Sequence, residues 1–259
     1  MNVLEKIIAY KREEIAVRKL MVTEEELFAS EYFDRSCLSL EKALLPEGSS
    51  GIIAEFKRRS PRSGNIHPGA DVSKVTEAYA RSGATALAVF TDNHFFGGNT
   101  EDIVLARKNE LPVIRQDFII DPYQVIATKA MGADAILLIA ACLSKKKLKE
   151  LASLAKKQGL ETIIEIHAET ELSHICNETD MICFNNRDPK DFKIDAGKAI
   201  LLSQVARSGK IEIAGSGITD PGTVRLLRQE GFKGFLIGEF FMKEKDPGKA
   251  LDEFIRQVK

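Results

Sequence analysis

Ile211-Glu212-Ile213-Ala214-Gly215-Ser216-Gly217-Ile218-Thr219-Asp220-Pro221 holds one complete strand-to-helix transition. Ile211–Ala214 is a short apolar run of strand character, and Gly215 to Gly217 make a glycine-rich turn. Asp220-Pro221 then supplies a capping carboxylate followed by proline at the first helical position. An amphipathic stretch runs to Glu230, Gly231 stands where a helix end favours a left-handed residue, and Gly234–Ile237 opens the next apolar run.

The same unit recurs along the chain from Ile52. Strands are predicted over Ile52–Phe56, Ala86–Phe90, Pro112–Arg115, Ala135–Ile139, Glu161–Ile166, Met181–Phe184, Ile211–Ala214 and Gly234–Ile237. Helical patterns follow them at Val72–Ser82, Thr100–Asn109, Pro122–Met131, Lys145–Gln158, Glu169–Asn177, Ala196–Ser208, Pro221–Glu230 and Pro247–Val258. Asp121-Pro122 and Asp246-Pro247 repeat the Asp-Pro start, and Gly83, Gly132 and Gly159 repeat the glycine stop. Eight such units in about 200 residues predict an α/β fold of the (β/α)8, or TIM-barrel, type. A doubly wound open sheet would usually place its glycine-rich turn after the first strand, whereas here that strand runs into Glu55-Phe56-Lys57-Arg58-Arg59-Ser60-Pro61.

Ahead of the barrel, Leu4, Ile7, Ile8, Ile15 and Leu20 suggest an amphipathic helix, and Glu24 to Ala29 a second. Residues 1–50 are too few for an independent core, so the expected organisation is one domain, with an N-terminal helical extension over 1–50 and the barrel over 51–259.

Composition narrows the function. The chain has 259 residues, 44% hydrophobic and 29% charged, and 37 Lys+Arg against 38 Asp+Glu leave a net charge of −1. That balance predicts neither a nucleic-acid nor a membrane-surface partner. The longest apolar run, Ala135 to Leu143, is about half the ~20 residues needed to cross a bilayer, and the charged N-terminus lacks a secretory apolar segment. Cys37, Cys142, Cys176 and Cys183 are scattered, with no C-x-x-C and no His at zinc-ligand spacing. They read as reduced thiols of a cytoplasmic protein with no metal site.

In such barrels the chemistry lies at the C-terminal ends of the strands. Glu55 and Lys57 share a face at the end of strand one, and read either as hydrogen-bonding and acid groups or as an ion pair closing the barrel top. Glu165, after the apolar Ile163-Ile164, is a candidate base. Asn185, Asn186 and Arg187 after strand six suit a polar anionic ligand, or are simple turn formers. Gly215 to Ile218 and Gly238 place glycines after strands seven and eight, where backbone N–H groups often hold a phosphate; two ordinary tight turns are the other reading. His94 reads as a solvated loop residue.

Several motifs occur together and in order: Ile53-Ala54-Glu55-Phe56-Lys57-Arg58-Arg59-Ser60-Pro61, Phe90-Thr91-Asp92 with Phe95-Phe96-Gly97-Gly98, Asp117-Phe118-Ile119-Ile120-Asp121, Ala133 to Ile139, Glu165-Ile166-His167, Asn185-Asn186-Arg187-Asp188 and Gly215-Ser216-Gly217-Ile218. In these the chain resembles indole-3-glycerol phosphate synthase over nearly its whole length, the N-terminal extension included. The resemblance implies a decarboxylating carbon–carbon lyase of tryptophan biosynthesis. It would convert 1-(2-carboxyphenylamino)-1-deoxyribulose 5-phosphate to indole-3-glycerol phosphate, carbon dioxide and water, without metal or organic cofactor. A small phosphorylated substrate is then the expected partner, and a monomer the expected state.

By the same resemblance, Lys57 would be a general acid that also helps hold the phosphate, and Glu165 a general base. Glu55 and Asn185 would orient the reacting groups. Ser60, Arg187 and Ser216 would line the substrate site, while the backbone at Gly217 and Gly238 would cradle the phosphate.

The chain departs from the family pattern at three places. The family's third strand ends Arg-Lys-Asp-Phe, with the lysine as general acid; here it reads Arg115-Gln116-Asp117-Phe118. An amide cannot deliver a proton at neutral pH, and Arg115 is predicted to point away. The family's Glu-Ser-Gly-Ile has lost its glutamate to Gly215, a loss that offsets the missing lysine in net charge. Phe240 stands where a small residue is usual, which predicts altered phosphate binding. A slowed synthase is the leading expectation, and a diverged or non-catalytic paralogue that binds a phosphosugar is the alternative. The neighbouring phosphoribosyl anthranilate isomerase family uses a Cys and Asp pair, and no cysteine here lies near the end of strand one.

Overall fold

The computed structural model describes residues 3–186 and 196–258. Eight parallel strands close a barrel: β1 (Ile52–Phe56), β2 (Ala86–Phe90), β3 (Val113–Gln116), β4 (Ala135–Ile139), β5 (Glu161–Ile166), β6 (Met181–Asn185), β7 (Ile211–Gly215) and β8 (Gly234–Ile237). Consecutive strands are neighbours, and β8 returns to β1 with Ile53 opposite Leu236. Alternate side chains fill the interior, where Ile53, Ala88, Ile114, Leu137, Ile163, Cys183, Ile213 and Leu236 form one cluster. The intervening side chains, among them Ile52, Leu87, Ile136 and Ile164, form a larger core against the surrounding helices.

Three strands run one residue beyond their expected ends, so Gln116, Asn185 and Gly215 close strands rather than open loops. This fixes their direction. Gln116 lies two residues past the inward-facing Ile114, Asn185 two past Cys183, and Gly215 two past Ile213.

The helix expected over Glu169–Asn177 is a 3-10 segment, Glu169–His174. Side chains there compete with helical bonding: the Glu171 carboxylate accepts the His167 N–H at 2.7 Å, and Ser173 Oγ donates to the Thr170 carbonyl at 3.1 Å. The Asp-Pro starts behave as capping chemistry requires, with Asp121 accepting from Tyr123 N, Asp220 from Thr223 N and Asp246 from Lys249 N.

The extension folds as α1 (Val3–Met21), α2 (Glu24–Phe28) and α3 (Leu40–Leu44). The buried stripe of α1 is Ile7, Lys11 and Ile15, while Leu20, expected on the apolar face, is 87% exposed. Lys11 Nζ sits within 2.9 Å of carboxylate oxygens of Asp92, Asp117 and Glu14, and so fixes α1 across the loops that follow β2 and β3. Burial opposes its charge, but the carboxylates outweigh that and hold its pKa above the ordinary lysine value. The helix α3, which periodicity did not reveal, inserts Leu40 and Leu44 into the interior cluster of the barrel. Its first turn is capped by Glu161, which accepts from Ser39 Oγ, Leu40 N and Glu41 N. No helix among the described residues is long and apolar enough to cross a membrane.

Candidate active site

Six of the expected site residues meet at one end of the barrel. Glu55, Lys57, Glu165 and Asn185 line a cavity of about 200 Å³ together with Gln116, Ser60 and Ser216. All but Ser216 are buried. Lys57 Nζ is ion-paired to Glu55 and lies 5.6 Å from the centre of the Phe90 ring. The pair is an ion pair, and both of its residues line the cavity.

Glu165 has a partner that the sequence did not suggest. His167 Nε2 lies 3.1 Å from Glu165 Oε1, and its Nδ1 3.9 Å from Glu171 Oε2. Burial pushes the His167 pKa down, but the charges of Glu165 and Glu171 and the hydrogen bond to Glu165 push harder, so it is raised above 6.5.

The opposite wall is apolar. Phe90 stacks on Phe96 at 4.1 Å, Phe96 lies 6.0 Å from Phe118, and Val3, Leu4 and Ile7 of α1 line the same cavity. None of these was singled out as a site residue from sequence. The signal available was Leu4 and Ile7 one turn apart, together with Phe96 and Phe118 inside recognised motifs. His94 is exposed, as expected, and stacks on Tyr10 at 4.4 Å, a second attachment of α1.

A second cavity, of about 310 Å³, adjoins the first and shares Glu55, Lys57, Arg62, Ser216 and Leu236 with it. Gly217 and Gly238 line it. Ser216 and Gly217 both have left-handed backbone, φ 61° and 72°, a conformation that serine adopts at a cost. Asn186 fixes the turn, donating its backbone N–H to the Gly215 carbonyl at 2.8 Å and its side-chain amide to the Ser216 carbonyl at 3.2 Å. Gly238 is glycine for a steric reason: a Cβ there would meet Glu55 Cβ at 2.6 Å. Arg187 and Asp188 lie outside the described residues.

The altered positions now have surroundings. Gln116 is 3% exposed and its Oε1 has no hydrogen-bond partner, so an acceptor faces the cavity where the family carries an ammonium. Arg115 points the other way, as alternation predicted, and is held by Thr91, the Gln124 carbonyl, Thr128 and Asp117. A Cβ on Gly215 would lie 2.8 Å from Cys183 Sγ, closer than non-bonded contact permits. The thiol therefore fills the space in which a side chain at 215 would begin. Phe240, where altered phosphate binding was expected, lines the second cavity, and its ring centre lies 5.5 and 5.6 Å from those of Phe241 and Phe254. Among the described residues no group of three or more His, Cys, Asp or Glu side chains could hold a metal ion.

A closed parallel barrel with its polar residues at the strand ends defines the class, and solved structures agree. Tryptophan synthase subunit alpha from Legionella pneumophila superposes with a TM-score of 0.62 at 15% identity, covering 85% of this chain and 96% of that one. A mandelate oxidase mutant does so with a TM-score of 0.61 at 13% identity, covering 80% and 71%. At such identities the likeness is one of fold.

Sequence relatives go further. Residues 4–254 match the family model described as indole-3-glycerol phosphate synthase. The indole-3-glycerol phosphate synthase of Bacteroides thetaiotaomicron is 43% identical over 258 residues, 99% of each chain, and that of Bordetella pertussis 37% identical, covering 98% and 99%. The chain belongs to the indole-3-glycerol phosphate synthase family.

Proposed function

We propose that this protein acts in the cytoplasm as an indole-3-glycerol phosphate synthase of reduced rate, closing the indole ring of 1-(2-carboxyphenylamino)-1-deoxyribulose 5-phosphate with loss of carbon dioxide and water. The observation that carries the reading is the convergence of Lys57, Glu165, Glu55 and Asn185 on one cavity that is apolar on its far wall and glycine-lined at its adjoining end. A carboxyphenyl ring suits the wall of Phe96, Phe118, Leu4 and Ile7. The phosphate suits Gly217 and Gly238, with Ser216, Lys57 and Arg187 as further ligands, and Ser60 bounds the substrate between the two ends.

In the reaction the ring carbon that bears the carboxylate attacks the ketone carbon, whose oxygen takes up a proton. The carboxylate then leaves as carbon dioxide, and the new hydroxyl leaves as water while a base removes the remaining proton. Lys57 is placed to protonate oxygen, with Glu55 holding its ammonium in position. Glu165 is placed to act as base. Asn185 orients the sugar hydroxyls. Gln116 can hydrogen-bond the ketone through its amide but cannot protonate it, and loss of a positioned general acid typically costs roughly 10²–10⁴-fold.

The test is product formation by purified protein at high enzyme concentration, from a host lacking its own synthase. Slow release of indole-3-glycerol phosphate is expected, and none at all would sink the proposal. Gln116 and Gly215 favour a second reading, a paralogue that binds a phosphosugar without turning it over. Calorimetric binding of the substrate with no product would decide for it.

A further inference from the structure

We infer that Glu239 is a specificity-determining residue of the phosphate end, setting a resident negative charge in the cavity that a phosphoryl group would enter and so lowering the affinity for dianionic ligands. The inference rests on the proposed reading of that cavity as the phosphate site. Glu239 follows Gly238 directly, and its carboxylate accepts the Ser63 hydroxyl at 2.7 Å and pairs with Lys243 Nζ at 2.6 Å. The Ser63 bond ties the loop after β1 to the segment after β8, and Lys243 lies one turn further along that same segment. Burial resists the charge, but the bonds from Lys243 and Ser63 and the nearby Lys57 hold the carboxyl at about 2, so the carboxylate is ionised throughout the neutral range.

Charge in the cavity decides the consequence. Among its described lining residues Lys57, Arg62 and Lys243 face Glu55, Glu239 and Glu244, three charges of each sign. Lys57 is already paired with Glu55, and Lys243 with Glu239. A phosphate dianion entering this space finds Lys57 engaged by Glu55 and Lys243 by Glu239, so the Glu239 carboxylate offsets positive charge in the cavity and competes with the phosphate for Lys243. Such a competition is strong where water is partly excluded. Phe240 also lines this cavity, with its ring against Phe241 and Phe254.

Glu239→Gln removes the charge and keeps an oxygen for Ser63, while Ser63→Ala removes the latch and keeps the charge. Titration of the full-length protein with inorganic phosphate separates the two effects. Glu239→Gln is expected to bind phosphate roughly tenfold more tightly, a gain that shrinks as salt rises, with Ser63→Ala within about twofold of the parent. Glu239→Ser, a smaller side chain, should move affinity the same way if the glutamine variant folds poorly. With substrate, KM should fall by a similar factor. Unchanged or weaker phosphate binding in both Glu239 variants overturns the inference, as does matching weakening in Ser63→Ala, which would make Glu239 only a latch. If the parent forms no product but Glu239→Gln still tightens phosphate, the synthase reading falls and the charge argument stands; product without phosphate binding in any form does the reverse.

Discussion

Glu165 and His167 stand 3.1 Å apart at one strand end, and the carboxylate favours the protonated imidazole. The raised His167 pKa comes from the carboxylates overcoming burial, so removing one carboxylate should let burial prevail. In Glu165→Gln the His167 resonance, followed by NMR against pH, should titrate lower than in the parent, and kcat should fall about 10²–10⁴-fold. An unmoved titration would mean that the pair is not formed in solution. Cys183 sets a second residue-scale constraint. Because its Sγ lies where a Cβ on residue 215 would go, Gly215→Glu should be destabilising by about 1–3 kcal/mol, the usual cost of overpacking, with Cys183→Ala relieving most of it. Restoring the family's acid pair then needs three changes: Gln116→Lys with Gly215→Glu should gain little kcat until Cys183→Ala is added. A full gain from the double variant would show that the thiol rotates aside freely. The cavity positions of Glu55, Lys57 and Glu165 were legible in the sequence because strand alternation and strand ends place them, whereas Asn185 was expected in the loop that its strand in fact extends into. The Cys183 contact was not, since it depends on the register that sets Glu165 beside Cys183 and Asn185 beside Gly215.

At the scale of elements, the extension becomes part of the site through a single lysine. The barrel strands were legible because each carries its own apolar run and its own capping signals, which are local. Lys11 was not, because a lysine on a mostly polar helix reads as solvated and its partners Asp92 and Asp117 lie on loops far along the chain. The same limit hid α3, whose five residues are too few for periodicity and whose first N–H groups, beyond the N-cap Ser39, are bound by Glu161 on β5. Lys11→Met strands buried carboxylates without their counter-charge, a change that typically costs about 3–5 kcal/mol. Urea unfolding should show a loss of that size. Because α1 carries Leu4 and Ile7 into the cavity, substrate KM should rise together with it. Lost stability with KM unchanged would make α1 a clamp that takes no part in binding.

For the molecule as a whole, the same contacts fix how stability follows pH. Asp117 is buried, and Lys11 and Arg115 overcome that burial to hold its pKa well below the ordinary 3.8. Glu239, at about 2 against 4.5, shifts the same way. A depressed carboxyl contributes stability that is complete above its unfolded value and is lost as pH falls toward its folded value. The two together predict a steep loss below about pH 4. Lys11 is raised above 10.5, so its contribution is complete below that pH and is lost only as strongly alkaline pH passes its folded value. His167, raised above 6.5, contributes fully below 6.5 and less as pH climbs through its folded value. Stability should therefore be greatest between about pH 5 and 7, decline slightly above neutrality and fall sharply in acid. Urea midpoints measured across that range check the shape, and the variants assign it. Lys11→Met should flatten the acid slope, because Asp117 then loses the main counter-charge that holds its proton off, while His167→Gln should remove only the shallow decline above neutrality. An acid slope that survives in Lys11→Met would place the acid-sensitive contacts elsewhere in the barrel.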